Sequence, residues 1–482
     1  MRNSRLLLPL IGGVAAGLTG TALALEPPSG SVEDELRELR QKIDILERKL
    51  EVEKEAKEAE KAKQTATVEA GPKGFAIKST DGAHTLKLRG LLHADGRFYF
   101  GGEGTDSRTG RTGGNDDTFL LRRVRPILEG TVFNIFDFRF MPDFGGGNTV
   151  IQDAWVDARF FPWAQLLGGK FKTPFGIERL QSASAIRFVE RALPNNLVPN
   201  RDLGVELHGD LWNGAVSYAA AWLNGVSDGG SSDEFGDFDS NVDKDAAARL
   251  FVHPFLNSDI VPLQGLGLGA AVSFVDASGN PTAPNLPRYK TPAQRTFFQY
   301  RFTEGDPSNT IADGDRLRIS PQAYYYYGPF GLLGEYVTVS QEVSRVLATG
   351  VRRDELDHDA WQVAASYVLT GEASTFKGVT PKSPFSIDNR TWGALELVGR
   401  YSELNIDEDT FSGGGDSFAD PTRSAQEAAA WAVGFNWYLN QNLKLVLDYE
   451  QTSFEGGGGG TADAPEDRED EQALLSRIQL AF

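Results

Sequence analysis

Apolar side chains between residues 32 and 50 recur at alternating spacings of four and three: Val32, Leu36, Leu39, Ile43, Leu46 and Leu50. Charges fill the gaps (Glu33, Arg37, Glu38, Arg40, Lys42, Glu47, Arg48), which makes a helical heptad seam with charged flanks. Beyond Leu50 the seam decays into Glu, Lys and Ala. The pattern predicts an α-helical coiled coil over residues 31–63 that oligomerises through the seam; the alternative is a lone solvated helix. A linker is expected over residues 64–74, closing at Gly71-Pro72.

From His84 the period changes to two. Leu86, Leu88, Gly90, Leu92, Ala94, Gly96, Phe98 and Phe100 share one face, while Lys87, Arg89, Leu91, His93, Asp95, Arg97 and Tyr99 share the other. A two-faced strand of this length exceeds the ~5–6 residues usual in globular proteins and suits a tilted membrane strand. The pattern returns at Phe136/Phe138/Phe140, at Leu395/Leu397/Tyr401 and at Trp431/Val433/Phe435/Trp437. Short links such as Asn213-Gly214 and Gly328-Pro329 tend to alternate with long ones over residues 101–117, 173–201, 224–244, 343–357, 405–424 and 455–471. The link 371–390 is long where a short turn is due. With residues 276–316, including 295–302, read as one external loop, the count becomes about sixteen strands, even as bacterial barrels require. The fold class expected is therefore all-β: a 16-stranded antiparallel transmembrane β-barrel over residues 75–482, with an N-terminal α-helical coiled coil. Its lipid-facing residues would contact outer-membrane lipid.

The N-terminal pattern predicts an export pathway for this chain. Arg2 and Arg5 precede an apolar stretch that ends in Ala22-Leu23-Ala24, the layout of a signal peptide over residues 1–24. After Leu25 no run approaches the ~18 apolar residues of a membrane-spanning helix, but a barrel needs none. The chain has no cysteine, which excludes disulfides, thiolate catalysis and Cys-ligated metals. A formal charge of −19 argues against nucleic acid as a partner.

That acidity is unevenly placed. Bases crowd the first third of the barrel, among them Arg89, Arg97, Arg122, Arg123, Arg125, Arg139, Lys170 and Lys172. Alternation turns Arg89, Arg123, Arg125 and Arg139 toward a lumen, whereas Arg122 shares its face with Val124 and Leu128 and must sit near a rim or bend inward. Arginine forks suit oxyanions, and rings of cations select anions. Glu129, Asp137, Asp143, Asp153 and Asp157 lie nearby, so a charge-balanced lumen remains the alternative. Residues 173–201 mix apolar positions with Arg179, Arg187, Arg191 and acidic neighbours; such a loop packs on something, either inside the lumen as a constriction or against external loops.

Several stretches resemble the phosphate-selective porin O and P family: Leu121-Arg122-Arg123-Val124-Arg125-Pro126, Gly169-Lys170-Phe171-Lys172-Thr173-Pro174-Phe175-Gly176-Ile177-Glu178-Arg179-Leu180, Phe188-Val189-Glu190-Arg191-Ala192-Leu193-Pro194, Arg201-Asp202-Leu203-Gly204-Val205, and residues 393–402. The resemblance covers about residues 74–482. It implies a trimeric, sixteen-stranded outer-membrane pore with an inward-folded third loop, passing phosphate or other small anions passively. Arg122, Arg123 and Lys170 are the positions carried over to the constriction. With the bases above, the candidate anion-binding set is Arg89, Arg122, Arg123, Arg125, Lys170, Lys172, Arg179, Arg187 and Arg191. The C-terminal strand ending at Phe482 resembles the signal read by the barrel-assembly machinery.

Other motifs carry less. Residues 225–229 match a nucleophile elbow around Ser227 but lie in an acidic Gly/Ser loop. Asp237, Asp239, Asn241 and Asp243 begin a calcium-loop spacing without its glycine or closing Glu. The five histidines are scattered, and Tyr324–Tyr327 reads as an interfacial girdle. No enzyme activity, cofactor or metal is implied. The alternative function is structural, a general porin whose periplasmic coiled coil contacts the cell wall.

Overall fold

The computed structural model describes residues 32–63, 66–100, 117–238 and 244–482, so the expected signal peptide lies outside the described residues. Two compact units divide the chain near residue 65. The first holds one helix, α1 (Val32–Lys63), with Glu38–Lys42 and Glu53–Lys57 pairs one turn apart. Its seam residues Leu36, Leu39, Ile43, Leu46 and Leu50 are all exposed, at 49–66%.

The second unit is a closed barrel. Sixteen strands succeed one another round its wall among the described residues: Thr85–Phe100, Thr118–Val132, Phe136–Asp143, Val150–Phe161, Ala164–Lys172, Arg201–Leu211, Val216–Leu223, Asp245–Val252, Leu266–Ser278, Ile311–Tyr327, Phe330–Leu347, Gly350–Val368, Ala394–Asn405, Ala425–Tyr438, Leu443–Thr461 and Glu471–Ala481. Each pairs antiparallel with the next, and the last pairs with the first, from Gln472 opposite Phe100 to Ala481 opposite Leu91. Closure leaves no strand edge to meet lipid unpaired.

Alternation sets the two faces. On the first strand Leu86, Leu88, Leu92 and Phe100 are exposed, while Leu91, His93, Asp95 and Arg97 are buried. On the last, Ile478 and Leu480 point out and Arg477 and Gln479 in. An apolar outside around a polar inside is the inverse of a water-soluble core. Phe482 finishes the seam: its amide and that of Gly90 exchange two 3.0 Å bonds with the opposite carbonyls. A Cβ on Gly90 would come within 2.7 Å of the Phe482 ring.

Several boundaries differ from the sequence pattern. Residues 343–357 are not a loop; the strands on either side run on in register to Leu347 opposite Gly350. Their alternation simply continues beyond the ~9–11 residues that cross a bilayer. Residues 455–461 likewise extend a strand. Within the expected linker, Thr67–Gly71 pairs with Gly74–Lys78, which adds on to Thr85–Leu88. Gly74 turns at φ 91 with the Leu88 carbonyl 2.4 Å from where a Cβ would sit. Of the four tyrosines, Tyr324 hydrogen-bonds His253 and Tyr326 lies beside Arg187, so only Tyr325 and Tyr327 remain for an outer girdle. Residues 295–302 do belong to a loop, where Arg288–Lys290 and Thr296–Gln299 form a separate hairpin.

The main apolar cluster sits inside the barrel. Phe175, Leu193 and Leu197 of the 173–200 loop and Tyr289, Phe297 and Phe298 of the hairpin pack on Val337, Val339, Leu356 and Leu404 of the wall. The long 369–393 turn also enters, its Phe376 ring stacked 5.2 Å from Tyr324. One side of the lumen is thus filled by chain, and the open space is pushed to the other.

Candidate functional site

Two polar cavities occupy that open side. The larger, of about 850 Å³, lies among the long loops. The smaller, of about 520 Å³, reaches toward Leu91 and Ala481 near the C-terminal end of the wall. Arg122, Arg123, Arg179, Arg191 and Asn200 line both, so these residues form the neck between them.

A β-bulge explains how two consecutive arginines reach one neck. His93 pairs with Arg123 but Ala94 pairs with Leu121, leaving Arg122 as the extra residue. A bulge re-aims the side chain it carries, which resolves the apparent conflict between Arg122 and its apolar neighbours Val124 and Leu128. Gly145 packs on the bulge: a Cβ there would lie 2.7 Å from the Arg122 carbonyl oxygen and 2.8 Å from the Arg123 Cα.

Arg179 and Arg191 arrive on the 173–200 loop, which crosses the lumen rather than lying outside. Its ends close through Thr173 N–H to the Asn200 carbonyl at 3.0 Å. Along its course Ile177 N–H bonds Glu335, Arg187 bonds Glu396 at 2.9 Å, Val189 N–H bonds Asp448, and Lys444 bonds the Ile186 carbonyl at 2.8 Å. These bonds between buried groups fix the loop to the wall.

Glu190 is the counter-charge of the neck. It accepts from Arg122 Nε at 2.5 Å and Arg97 Nη2 at 2.9 Å, with Arg477 and Arg123 at 3.8 and 3.9 Å. Burial alone would raise its pKa, but Arg122, Arg123, Arg477 and Arg97 outweigh that and hold the carboxyl well below its usual range. Three other cations are gathered by backbone carbonyls instead. Lys172 Nζ donates to the carbonyls of Arg179 (2.7 Å), Gln181 (3.0 Å) and Leu180, Arg179 to that of Asn195, and Arg191 to those of Glu178 and Gln181. No carboxylate pairs with these three among the described residues. Burial and the neighbouring Arg191 and Arg201 lower Arg179 to about 9. Arg191 falls to about 10, through burial and repulsion from Arg201 against the pull of Glu178. Both remain cationic at neutral pH.

The other sequence candidates are spread unevenly. Arg125, paired with Asp143 at 2.7 Å, lines the smaller cavity with Lys172, and so does Arg89, which shares Glu129 with Arg139. Lys170 lines neither; it is buried against Asp233 and Asp237 at 3.0 and 2.6 Å. Arg187 is also elsewhere, bonding Glu396, the Ser374 hydroxyl and the Thr375 carbonyl. Sequence reasoning missed Arg288, Lys290, Arg295 and Asn200, which line the larger cavity. A cluster of bases inside otherwise acidic long loops was the available signal for the first three. Seven cations line the larger cavity and nine the smaller, with four common to both, making twelve against five carboxylates.

The family model described as phosphate-selective porin O and P matches residues 92–482. The chain belongs to this family. Among solved structures, this porin is similar to the outer membrane channel DcaP of Acinetobacter baumannii, at 12% identity and a TM-score of 0.51 over 84% of the chain and 99% of that structure. It is also similar to Salmonella typhi OmpF in complex with daunomycin (12% identity, TM-score 0.48, covering 83% and 98%). A loop L8 deletion mutant of OmpT from Vibrio cholerae matches at 10% identity and TM-score 0.48, covering 83% and 100%. No curated protein sequence matches the chain. Family and barrel fold together make this porin an outer-membrane channel for small solutes.

Proposed function

We propose that this porin passes small anions, phosphate among them, by passive diffusion through the four-arginine neck. The observation that carries the reading is the neck itself: Arg122, Arg123, Arg179 and Arg191 lie between two cavities whose lining holds a surplus of seven positive charges. Cation rings lower the barrier for anions and raise it for cations, and the arginine fork fits an oxyanion. Diffusion through such a neck needs no turnover and no cofactor. The anion role extends to Arg89, Arg125 and Lys172 in the smaller cavity. Lys170 and Arg187 hold loops in place, and acidic side chains neutralise them.

The working assembly in this reading is a homotrimer, its α1 helices paired along the exposed Leu36–Leu50 seam as a periplasmic coiled coil. The barrel-assembly machinery would read the last strand ending at Phe482. Reconstitution in planar bilayers tests the central claim: the reversal potential in a salt gradient should report anion preference, and phosphate should block chloride current. Cation preference overturns it.

A further inference from the structure

His93 is fully buried on the lumen side of the wall, yet it lines neither cavity. Arg123 Nη1 donates to its Nδ1 at 3.1 Å, and its Nε2 lies 2.9 Å from Gln479 Oε1. A guanidinium can only donate, so Nδ1 must be the unprotonated nitrogen and Nε2 must carry the proton. Gln479 then has its amide oxygen committed to His93, and its Nε2 donates to the Ser184 carbonyl of the lumen loop at 2.9 Å. The three bonds form a line of one polarity: Arg123 to His93, His93 to Gln479, Gln479 to Ser184.

We infer that His93 and Gln479 are positioning residues that hold the Arg123 guanidinium in the neck and register it against the loop that carries Arg179 and Arg191. The inference rests on the anion reading above. Among the described residues Arg123 has no other acceptor within 3.5 Å; Glu190 lies 3.9 Å away, and the Arg123 Nε has no partner. Without the Nδ1 acceptor, no other hydrogen bond among the described residues fixes its rotamer. Gln479 matters because it locks the imidazole: with no acceptor at Nε2, the proton can move to Nδ1, which then repels the guanidinium N–H. The line also couples the two halves of the neck, because a shift of the loop at Ser184 pulls on Gln479 and so on Arg123.

Bilayer recordings on the full chain test this, with inorganic phosphate as the blocking anion of chloride current. His93→Leu and Gln479→Leu should each weaken phosphate block by about tenfold, the order expected for losing one hydrogen bond to a charged group. His93→Gln, which can accept from Arg123 and donate onward, should restore most of it. In the Arg123→Gln background, His93→Leu should weaken block no further, whereas Arg89→Gln should add its full effect. Should His93→Leu not fold, Gln479→Leu carries the same test without touching Arg123. Block unchanged in both leucine variants, or His93→Leu adding its full effect to Arg123→Gln, overturns the positioning role. A wild-type channel with neither anion preference nor phosphate block overturns the anion reading itself.

Discussion

Arg191→Gln should cost the channel most of its phosphate affinity, while Lys170→Gln, the neutralisation that the family motif would favour, should cost almost nothing. Arg191 lines both cavities and, among the described residues, is held by the carbonyls of Glu178 and Gln181 with no paired carboxylate, so its charge is uncompensated at contact range. A unit charge about 4 Å from an anion is worth about 1 kcal/mol in bulk water and about 4 kcal/mol at an effective dielectric near 20. A water-filled neck walled by protein falls between these, at about 2 kcal/mol, or about thirtyfold in apparent affinity. The Lys170 ammonium lies 3.0 and 2.6 Å from two carboxylates and lines neither cavity. Its neutralisation should change block by less than about twofold, since compensated charges outside the pore contribute little field there. The assay is phosphate titration of single-channel chloride current at about 0.1 M salt, where screening acts over about 10 Å. Both variants must first show the gel shift of a folded barrel. Equal loss in the two, or the greater loss in Lys170→Gln, would refute the assignment of the neck.

Glu190→Gln breaks a buried hub of arginines and should lower stability by about 3–5 kcal/mol, read as a drop in the denaturant midpoint. Because the folded Glu190 carboxyl sits well below its ordinary pKa, its contribution is complete above the usual carboxylate range and is lost only in strongly acid solution. The stability difference between wild type and Glu190→Gln should therefore stay constant from neutral pH to about pH 4; a difference that shrinks over that range would contradict it. Gly145→Val should push the bulge away and reduce anion preference with every charge still present; an unchanged reversal potential would say that Arg122 does not depend on the bulge. Replacing residues 373–380 with a short glycine link removes the Phe376 turn from beneath the lumen loop, and conductance should rise; no rise would mean that the turn blocks no path.

What could be read from the sequence follows from how local each cause is. Strand alternation is a two-residue property, so the Leu86–Phe100 face and the closing strand at Phe482 were legible, as was the placement of residues 295–302 outside the wall. The bulge at Arg122 was not, because it depends on which residue of another strand pairs with His93. Lys170 and Lys172 stand two apart on one strand yet go to different places: Lys172 reaches the lumen loop, while Lys170 meets Asp233 and Asp237, more than sixty residues on. Long-range partners of that kind leave no periodic trace. The same holds for Arg288 and Arg295, which reach the pore only because an aromatic hairpin of Tyr289, Phe297 and Phe298 folds back into the barrel.

The lumen loop takes three of its anchors from the last strands of the chain, Ser184 from Gln479, Ile186 from Lys444 and Val189 from Asp448, besides those from Glu335 and Glu396. Until the final hairpin closes the wall, those three anchors are not beside the loop, and the stretch from Ser184 to Val189 that leads into Glu190 and Arg191 is incompletely fixed against Arg122 and Arg123. If the proposed anion neck is the selective element, its geometry is thus completed only in the step that seals the wall. On that reading, timing would separate leak from discrimination: a wall still open lacks the finished neck, and the finished neck exists only in a wall that is shut.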